Sequence, residues 1–164
     1  MRLLVRPLLI GFAAIALAAP VAGQRSDDQI LPKSVELQRQ GEALMAAGKL
    51  DQAEDALESA LAVDPRNRWA FVDLARVAEK QQLFGKAVRM ANKALTIEPN
   101  DADAIAVQGE AMVELGATAR AQANLQKLQT ICPKGCPQLT QLSNAITRGP
   151  TVASAKPPAT PKAN

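Results

Sequence analysis

The chain has 164 residues, a length that predicts one domain, and its 19 basic and 16 acidic side chains nearly balance. That balance and the lack of a basic block give no field to recruit nucleic acid or an anionic membrane. The sequence has no histidine, which removes the commonest general base and the commonest metal ligand. Its three Phe and one Trp are too few to stack the bases of single-stranded nucleic acid.

The first 23 residues predict a secretory signal peptide. Arg2 and Arg6 form a basic start, Leu8–Ala19 is a short apolar run, and Val21-Ala22-Gly23 is a small-residue cleavage site. Because the run is too short to span a bilayer comfortably, we expect cleavage, with an uncleaved N-terminal anchor as the alternative. Cleavage predicts a periplasmic or secreted mature chain that is not inserted in a membrane and begins with a short lead over residues 24–33.

A period of 34 residues organises the chain after this lead. Pro65, Pro99 and Pro133 lie at that interval, and each follows two positions after an apolar residue. A repeat of this length is typical of stacked helix–turn–helix units, in which the proline ends the second helix. The same register holds two columns of small residues and one of large apolar residues: Ala53, Ala87 and Ala121; Gly41, Ala75 and Gly109; and Leu37, Phe71 and Ile105.

The small columns have a physical reason, because two antiparallel helices approach closely only where their side chains are small. Asn67 and Asp101 follow two residues after a proline, where they can cap the next helix. The pattern therefore predicts six paired helices, near residues 34–47, 51–63, 68–81, 84–97, 101–114 and 117–131.

These columns resemble the tetratricopeptide repeat family, in copies at 34–67, 68–101 and 102–135. Two positions of each copy that are usually aromatic in the family hold smaller or aliphatic residues here: Leu44, Ala78 and Met112 at the first, and Leu57, Ala91 and Leu125 at the second. Gln82 stands where the family pattern has a glycine. The resemblance implies an all-α fold in which three helix–turn–helix repeats stack as a right-handed α-solenoid. Together with the predicted signal peptide it indicates an exported bacterial member of the family, and the departures from the family pattern predict a thin core in the second repeat.

Cys132 and Cys136 follow the last repeat. If the chain is exported, both thiols meet an oxidising compartment, where a disulfide is expected. The loop between them is short, so the bond would contribute only about 2 kcal/mol. A redox-active pair or a metal site is the alternative, although two cysteines without a histidine make a poor closed metal site.

A seventh helix is predicted over residues 137–148. Leu139, Leu142, Ala145 and Ile146 recur there at helical spacing, and a proline at position 137 suits the first turn. Such a helix would cap the last repeat, as solenoids require, and would complete a repeat domain over residues 34–148. Residues 149–164 lack apolar periodicity, and we expect them to be disordered.

The resemblance also implies a concave groove lined by the first helix of each repeat. Family members that clamp a C-terminal carboxylate use Lys, Asn and Arg in that groove, whereas this sequence offers Arg76 alone among several acidic residues. It therefore favours a basic or mixed segment as the ligand, and leaves open whether Trp69 is exposed or buried between repeats. The candidate contact residues are Gln38, Glu42, Met45, Trp69, Val72, Arg76, Glu79, Asp103 and Glu110.

No catalytic constellation is present. Carboxylate pairs such as Glu54/Asp55 have the spacing of a solvated helix surface, and no glycine-rich phosphate loop occurs. The sequence thus predicts a non-enzymatic scaffold of the cell envelope, without a cofactor or a metal, that binds a protein or peptide. The alternative is a thiol-redox or metal accessory factor in envelope protein biogenesis, acting through Cys132 and Cys136.

Overall fold

The computed structural model describes residues 29–151, so the predicted signal peptide (1–23), the start of the lead and the tail from residue 152 lie outside the described residues. All regular structure within 29–151 is helical: α1 (Pro32–Ala46), α2 (Leu50–Val63), α3 (Arg68–Lys80), α4 (Phe84–Ile97), α5 (Ala102–Glu114), α6 (Thr118–Ile131) and α7 (Pro137–Arg148). None of these described helices is long and apolar enough to cross a membrane.

Local signals in the sequence set the helix ends. Helices α2, α4 and α6 each end two residues before a proline of the 34-residue period. The side chain of Asn67 accepts a hydrogen bond from the Ala70 N–H at the start of α3, and Asp101 accepts one from the Ala104 N–H at the start of α5. Both predicted caps are therefore confirmed, because each satisfies a backbone donor that the first helical turn leaves unpaired.

The turn inside each repeat requires a left-handed backbone. Gly48 and Gly116 adopt it at φ +73° in the first and third repeats, whereas Gln82 adopts it at φ +60° in the second. A side chain in this conformation costs about 1–2 kcal/mol. The glutamine that departs from the family pattern is thus a point of backbone strain.

The described helices form two layers, and neighbouring helices pack against each other within only one of them. Each repeat is an antiparallel pair (α1 with α2, α3 with α4, α5 with α6), and the first helices α1, α3, α5 and α7 also pack side by side. Within residues 29–151, no two of the second helices pack against each other, although the side chains of Lys86 and Glu54 form an ion pair between α4 and α2. The layer α1–α3–α5–α7 is therefore the inner, concave wall of the solenoid.

Apolar side chains fill the space between successive pairs. Larger ones occupy the ends of the stack, with Leu57 and Leu74 in one cluster and Ile105 and Leu128 in another. The second repeat is filled mainly by small residues, which are fully buried: Ala75, Ala78, Ala87, Ala91 and Ala94. The thin core predicted for this repeat is thus an alanine-lined contact between closely packed helices.

One column of small residues has a direct geometric cause. A Cβ atom added to Gly41 would lie 2.5 Å from Leu57 Cγ, and one added to Gly109 would lie 2.6 Å from Leu142 Cδ1. In the second repeat Ala75 is tolerated at the equivalent position, where it packs with Ala91. The residue in this column is therefore matched to the size of the side chain that faces it.

Helix α7 closes the stack on α5 and α6, and its Leu142 is fully buried. Cys132 and Cys136 lie at disulfide distance in the turn that leads into it, with their Cα atoms 5.8 Å apart. The predicted all-α repeat fold with a capping helix is confirmed, and every helix begins and ends within two residues of its predicted bounds.

Candidate functional site

Two pockets on the concave wall formed by residues 29–151 contain most of the predicted contact residues. The first, called here the Trp69 pocket, has a volume of about 180 Å³. It is lined by α1, α3 and α5 through Glu42, Trp69, Val72, Asp73, Arg76 and Asp103. Since Trp69, Val72 and Arg76 lie at i, i+3 and i+7 along α3, they share one helix face.

Trp69 is exposed to solvent over 43% of its surface, which answers the question that the sequence left open. The Arg68 guanidinium lies 4.4 Å from the centroid of its ring, so one face of the indole is covered by a cation. Arg68 is itself paired with Asp101. The indole is therefore a large aromatic surface held at the rim of a pocket.

A row of hydrogen bonds crosses the floor of this pocket and joins the four inner helices. Gln38 Nε2 donates to Asp73 Oδ2 at 2.6 Å, and Arg76 Nη1 donates to Asp73 Oδ1 at 3.1 Å. Arg76 also donates through Nη2 to Asp103, which accepts a further hydrogen bond from Gln138 Nε2 at 3.2 Å. The only basic side chain among the predicted contact residues is thus already paired with two carboxylates.

The second pocket, called here the Glu79 pocket, lies further along α3 and has a volume of about 300 Å³. Its lining residues are Glu79, Lys80, Gln82, Phe84, Glu110, Glu114, Arg148 and Thr151. Glu114 accepts hydrogen bonds from the Thr151 N–H and Oγ1 at 2.7 and 2.9 Å, and Arg148 Nη2 lies 3.9 Å from its other oxygen. Residues 148–151 therefore border the pocket.

The two remaining carboxyl groups of the Glu79 pocket are poorly hydrated. Burial, and then repulsion from Glu110, raise the pKa of Glu79 to about 8. Burial also raises the pKa of Glu110 above its ordinary value, while a hydrogen bond from Gln141 and the charges of Arg148 and Arg76 oppose that rise. One oxygen of this carboxyl group, Oε1, is buried without a hydrogen-bond partner among residues 29–151. A cation placed between the two carboxyl groups would favour their ionised forms.

Comparisons with known proteins agree on the kind of repeat. A family model described as a tetratricopeptide repeat matches residues 44–108. Residues 44–108 are tetratricopeptide repeats. The match indicates no enzyme family, and no curated protein matches the chain significantly.

Solved structures similar to this tetratricopeptide repeat protein share its fold at low sequence identity. The Sgt2 domain of Aspergillus fumigatus is 23% identical with a TM-score of 0.68, covering 77% of this chain and 83% of its own. The second such domain of human RPAP3, in complex with an HSP70 peptide, is 20% identical with a TM-score of 0.63, and the match covers 69% of this chain and 94% of the RPAP3 domain. The TPR2B domain of yeast Sti1, in a pHsp70 complex, is 19% identical with a TM-score of 0.65 (71% and 97%).

Not every predicted contact residue of this tetratricopeptide repeat protein lies at the groove surface. Gln38 is only 7% exposed and lines neither pocket, so it supports the wall from beneath, whereas Val72 is largely buried but still borders the Trp69 pocket. Met45 packs against the core cluster formed by α2 and α3. The side chains that line the two pockets are those of Glu42, Trp69, Val72, Arg76, Glu79, Asp103 and Glu110.

Asp73 is a residue of the site that the sequence did not single out, and it ties α3 to α1 through its hydrogen bond from Gln38. Its burial raises the pKa of the carboxyl, while the hydrogen bond from Gln38 and the charge of Arg76 oppose that rise. The signal was available, because Asp73 and Arg76 have the i, i+3 spacing of an intrahelical ion pair. Within residues 29–151, no three Cys, Asp or Glu side chains are grouped so that they could hold a metal ion.

Proposed function

We propose that this tetratricopeptide repeat protein is a non-enzymatic scaffold of the bacterial cell envelope that holds a peptide or partner domain in its concave groove. The observation that carries the proposal is the exposed indole of Trp69 at the rim of a pocket on the inner wall. Exposed tryptophans beside pockets are typical hot spots of protein interfaces. The similar domains of human RPAP3 and yeast Sti1, which were solved with HSP70 ligands, support the same use of the fold.

The ligand differs in chemistry from a free C-terminal carboxylate. A carboxylate clamp needs cations that are free to meet it, whereas Arg76 is paired with Asp73 and Asp103. Both pockets also carry carboxyl groups on their walls, which would repel a second carboxylate. We therefore infer that the groove binds an internal segment of a partner protein, or a peptide whose C-terminus carries no charge.

Location in the envelope rests on the N-terminal sequence. The basic start, the short apolar run and the small-residue site predict removal of residues 1–23. Intact-mass measurement of the protein purified from the envelope should show the loss of about 23 residues. A full-length species in the cytoplasm would contradict the location and would leave the groove assignment untouched.

Trp69→Ala tests the scaffold function directly. If Trp69 is a hot spot, the variant should lose about 2 kcal/mol of binding to the native partner, or roughly thirtyfold in affinity. Its melting temperature should fall only slightly, because 43% of Trp69 is already exposed in the free protein. Leu115→Ala is the matched control, since it removes an exposed apolar side chain from the α5–α6 turn, outside both pockets.

A thiol-redox or metal accessory role through Cys132 and Cys136 is the second candidate. One observation favours it: the residues between the two cysteines are exposed, so a partner protein has access to the pair. Replacing both cysteines with serine separates the two functions. A scaffold keeps its partner and loses some stability, whereas a thiol exchanger loses its activity completely.

A further inference from the structure

The charges and shape of the groove specify its ligand more closely, on the assumption that the proposed function is correct. The Trp69 pocket combines an exposed indole with the carboxylates of Glu42, Asp73 and Asp103. An aromatic face and a carboxylate together are the groups that recognise a lysine or arginine side chain, through cation–π attraction and charge pairing. Since Arg76 already bonds to Asp73 and Asp103, Glu42 at the exposed edge has the carboxylate best placed for a ligand.

The Glu79 pocket offers a second position for a cation. Glu110 Oε1 is buried there without a hydrogen-bond partner among residues 29–151, and Glu79 faces it from the neighbouring helix. Lys80 and Arg148 also line this pocket, and Arg148 pairs with Glu114. An ammonium or guanidinium group would supply the missing donor, which is why the pocket fits a cation better than an apolar side chain.

The distance between the pockets sets the spacing of the two cations. On α3 the centres of the two sets of lining residues are about seven positions apart, or roughly 10 Å at 1.5 Å per residue. An extended peptide rises roughly 3.3 Å per residue, so three residues cover this distance. In a polyproline II conformation, residues three apart also point to the same side.

We propose that the groove binds an extended basic segment of another protein, in which two lysine or arginine side chains three positions apart enter the Trp69 pocket and the Glu79 pocket. The carboxyl groups on the wall supply the charge complementarity, and the indole supplies the contact area. Acidic segments and segments that end in a carboxylate are disfavoured, because the two cations beside the Trp69 pocket, Arg68 and Arg76, are already paired with carboxylates.

Trp69 is the only tryptophan in the chain, so its emission reports binding at the first pocket without a label. The probes are capped twelve-residue peptides of Ala, Ser and Pro with Lys at positions 5 and 8, and matched peptides with Gln or Glu at the same two positions. With the full chain at low salt, the Lys peptide should bind at least tenfold more tightly than the Gln peptide and should weaken as salt is raised. A Lys peptide with adjacent lysines should bind several times more weakly than the spaced one.

Variants locate the second pocket. Glu79→Gln combined with Glu110→Gln should lower the affinity for the spaced Lys peptide about tenfold and should leave the affinity for the Gln peptide unchanged. Glu58→Gln is the control, since it removes a carboxylate from the exposed face of α2. Equal affinity of the Lys and Gln peptides, tighter binding of the Glu peptide, or full binding by the double variant would each overturn the inference.

Two other occupants give distinct results. If the Lys peptide binds only after residues 152–164 are removed, the groove belongs to that segment of the chain, which carries Lys156 and Lys162, and the inference is wrong. If Trp69 emission changes with protein concentration alone, a second copy occupies the groove and the inference is also wrong. The proposed function fails separately, when Trp69→Ala retains the native partner with full affinity.

Discussion

The close approach of α1 and α2 gives a sharp prediction about the fold, through the substitution Gly41→Ala. The added methyl group would lie 2.5 and 2.7 Å from Leu57 Cγ and Cδ2, and 3.3 Å from the carbonyl oxygen of Ala53. Leu57 is fully buried in a close-packed core, so turning its side chain away would displace other core side chains. Either Leu57 repacks the core or the two helices move apart.

The magnitude follows from two opposing terms. Overpacking a buried contact costs about 1–3 kcal/mol, whereas replacing a helical glycine with alanine returns about 1 kcal/mol. Because a backbone carbonyl lies close on one side and a buried leucine on the other, we expect the upper part of this range. The net loss in the free energy of unfolding is about 1–2 kcal/mol, which lowers the melting temperature by roughly 4–8 °C.

Thermal and urea unfolding of the full chain measure this loss, and Gly85→Ala is the matched control. A methyl group at position 85 would meet only Arg89 Nη1 at 3.7 Å, so that variant should gain about 0.5 kcal/mol. In a Leu57→Ala background the penalty of Gly41→Ala should vanish, as the Ala75–Ala91 contact of the second repeat suggests. If Gly41→Ala is as stable as the parent chain or more so, the close contact between α1 and α2 is refuted.

Three further substitutions test the site, the turn and the cap. Burial and the neighbouring Glu110 raise the pKa of Glu79 from 4.5 to about 8 in the folded chain, so the folded state holds the proton more tightly and stability should fall as pH rises from about 4.5 to 8. A shift of this size corresponds to at most about 5 kcal/mol, and Glu79→Gln should remove most of the fall. Gln82→Gly should raise the free energy of unfolding by about 1 kcal/mol, because it relieves a left-handed backbone. Serine at both Cys132 and Cys136 should cost about 2 kcal/mol and speed hydrogen exchange in α7 while leaving α1 unchanged.

Each of these predictions has a clear contrary result. An unchanged pH profile in Glu79→Gln would mean that the carboxyl is well hydrated. A loss of stability in Gln82→Gly would mean that the glutamine side chain contributes more than its backbone costs. Equal acceleration of exchange in α1 and α7 after loss of the disulfide would mean that the stack unfolds as one unit rather than from its cap.

The architecture could be predicted from the sequence because it is repeated. The same signals mark the helix ends in successive 34-residue units. A proline follows the second helix of each unit, and Asn67 and Asp101 cap the first helix of the second and third units. Because three copies share one register, a departure in one copy, such as Gln82, does not alter the helix bounds that the other two copies predict. Each helix also contacts only the next helix in sequence or the one after it, which leaves no long-range topology to guess.

The details of the site could be predicted only in part, because they depend on contacts between repeats. Family position alone placed Gln38 on the groove surface, yet its amide turns inward to Asp73 on α3. The exposure of Trp69 likewise depends on Arg68, whose guanidinium covers one face of the ring from the neighbouring position. The periodicity of the sequence does not predict which of two polar side chains on neighbouring helices is buried and which is exposed.

The central claim is that the partner lies against the concave wall. A photo-crosslinking amino acid placed at position 42, where Glu42 is exposed at the edge of the Trp69 pocket, should form a covalent adduct with the partner in cells of the native host. The same group at position 59, where Ser59 is exposed on the outer helix α2, should form none. Adducts from position 59 and not from position 42 would contradict the account.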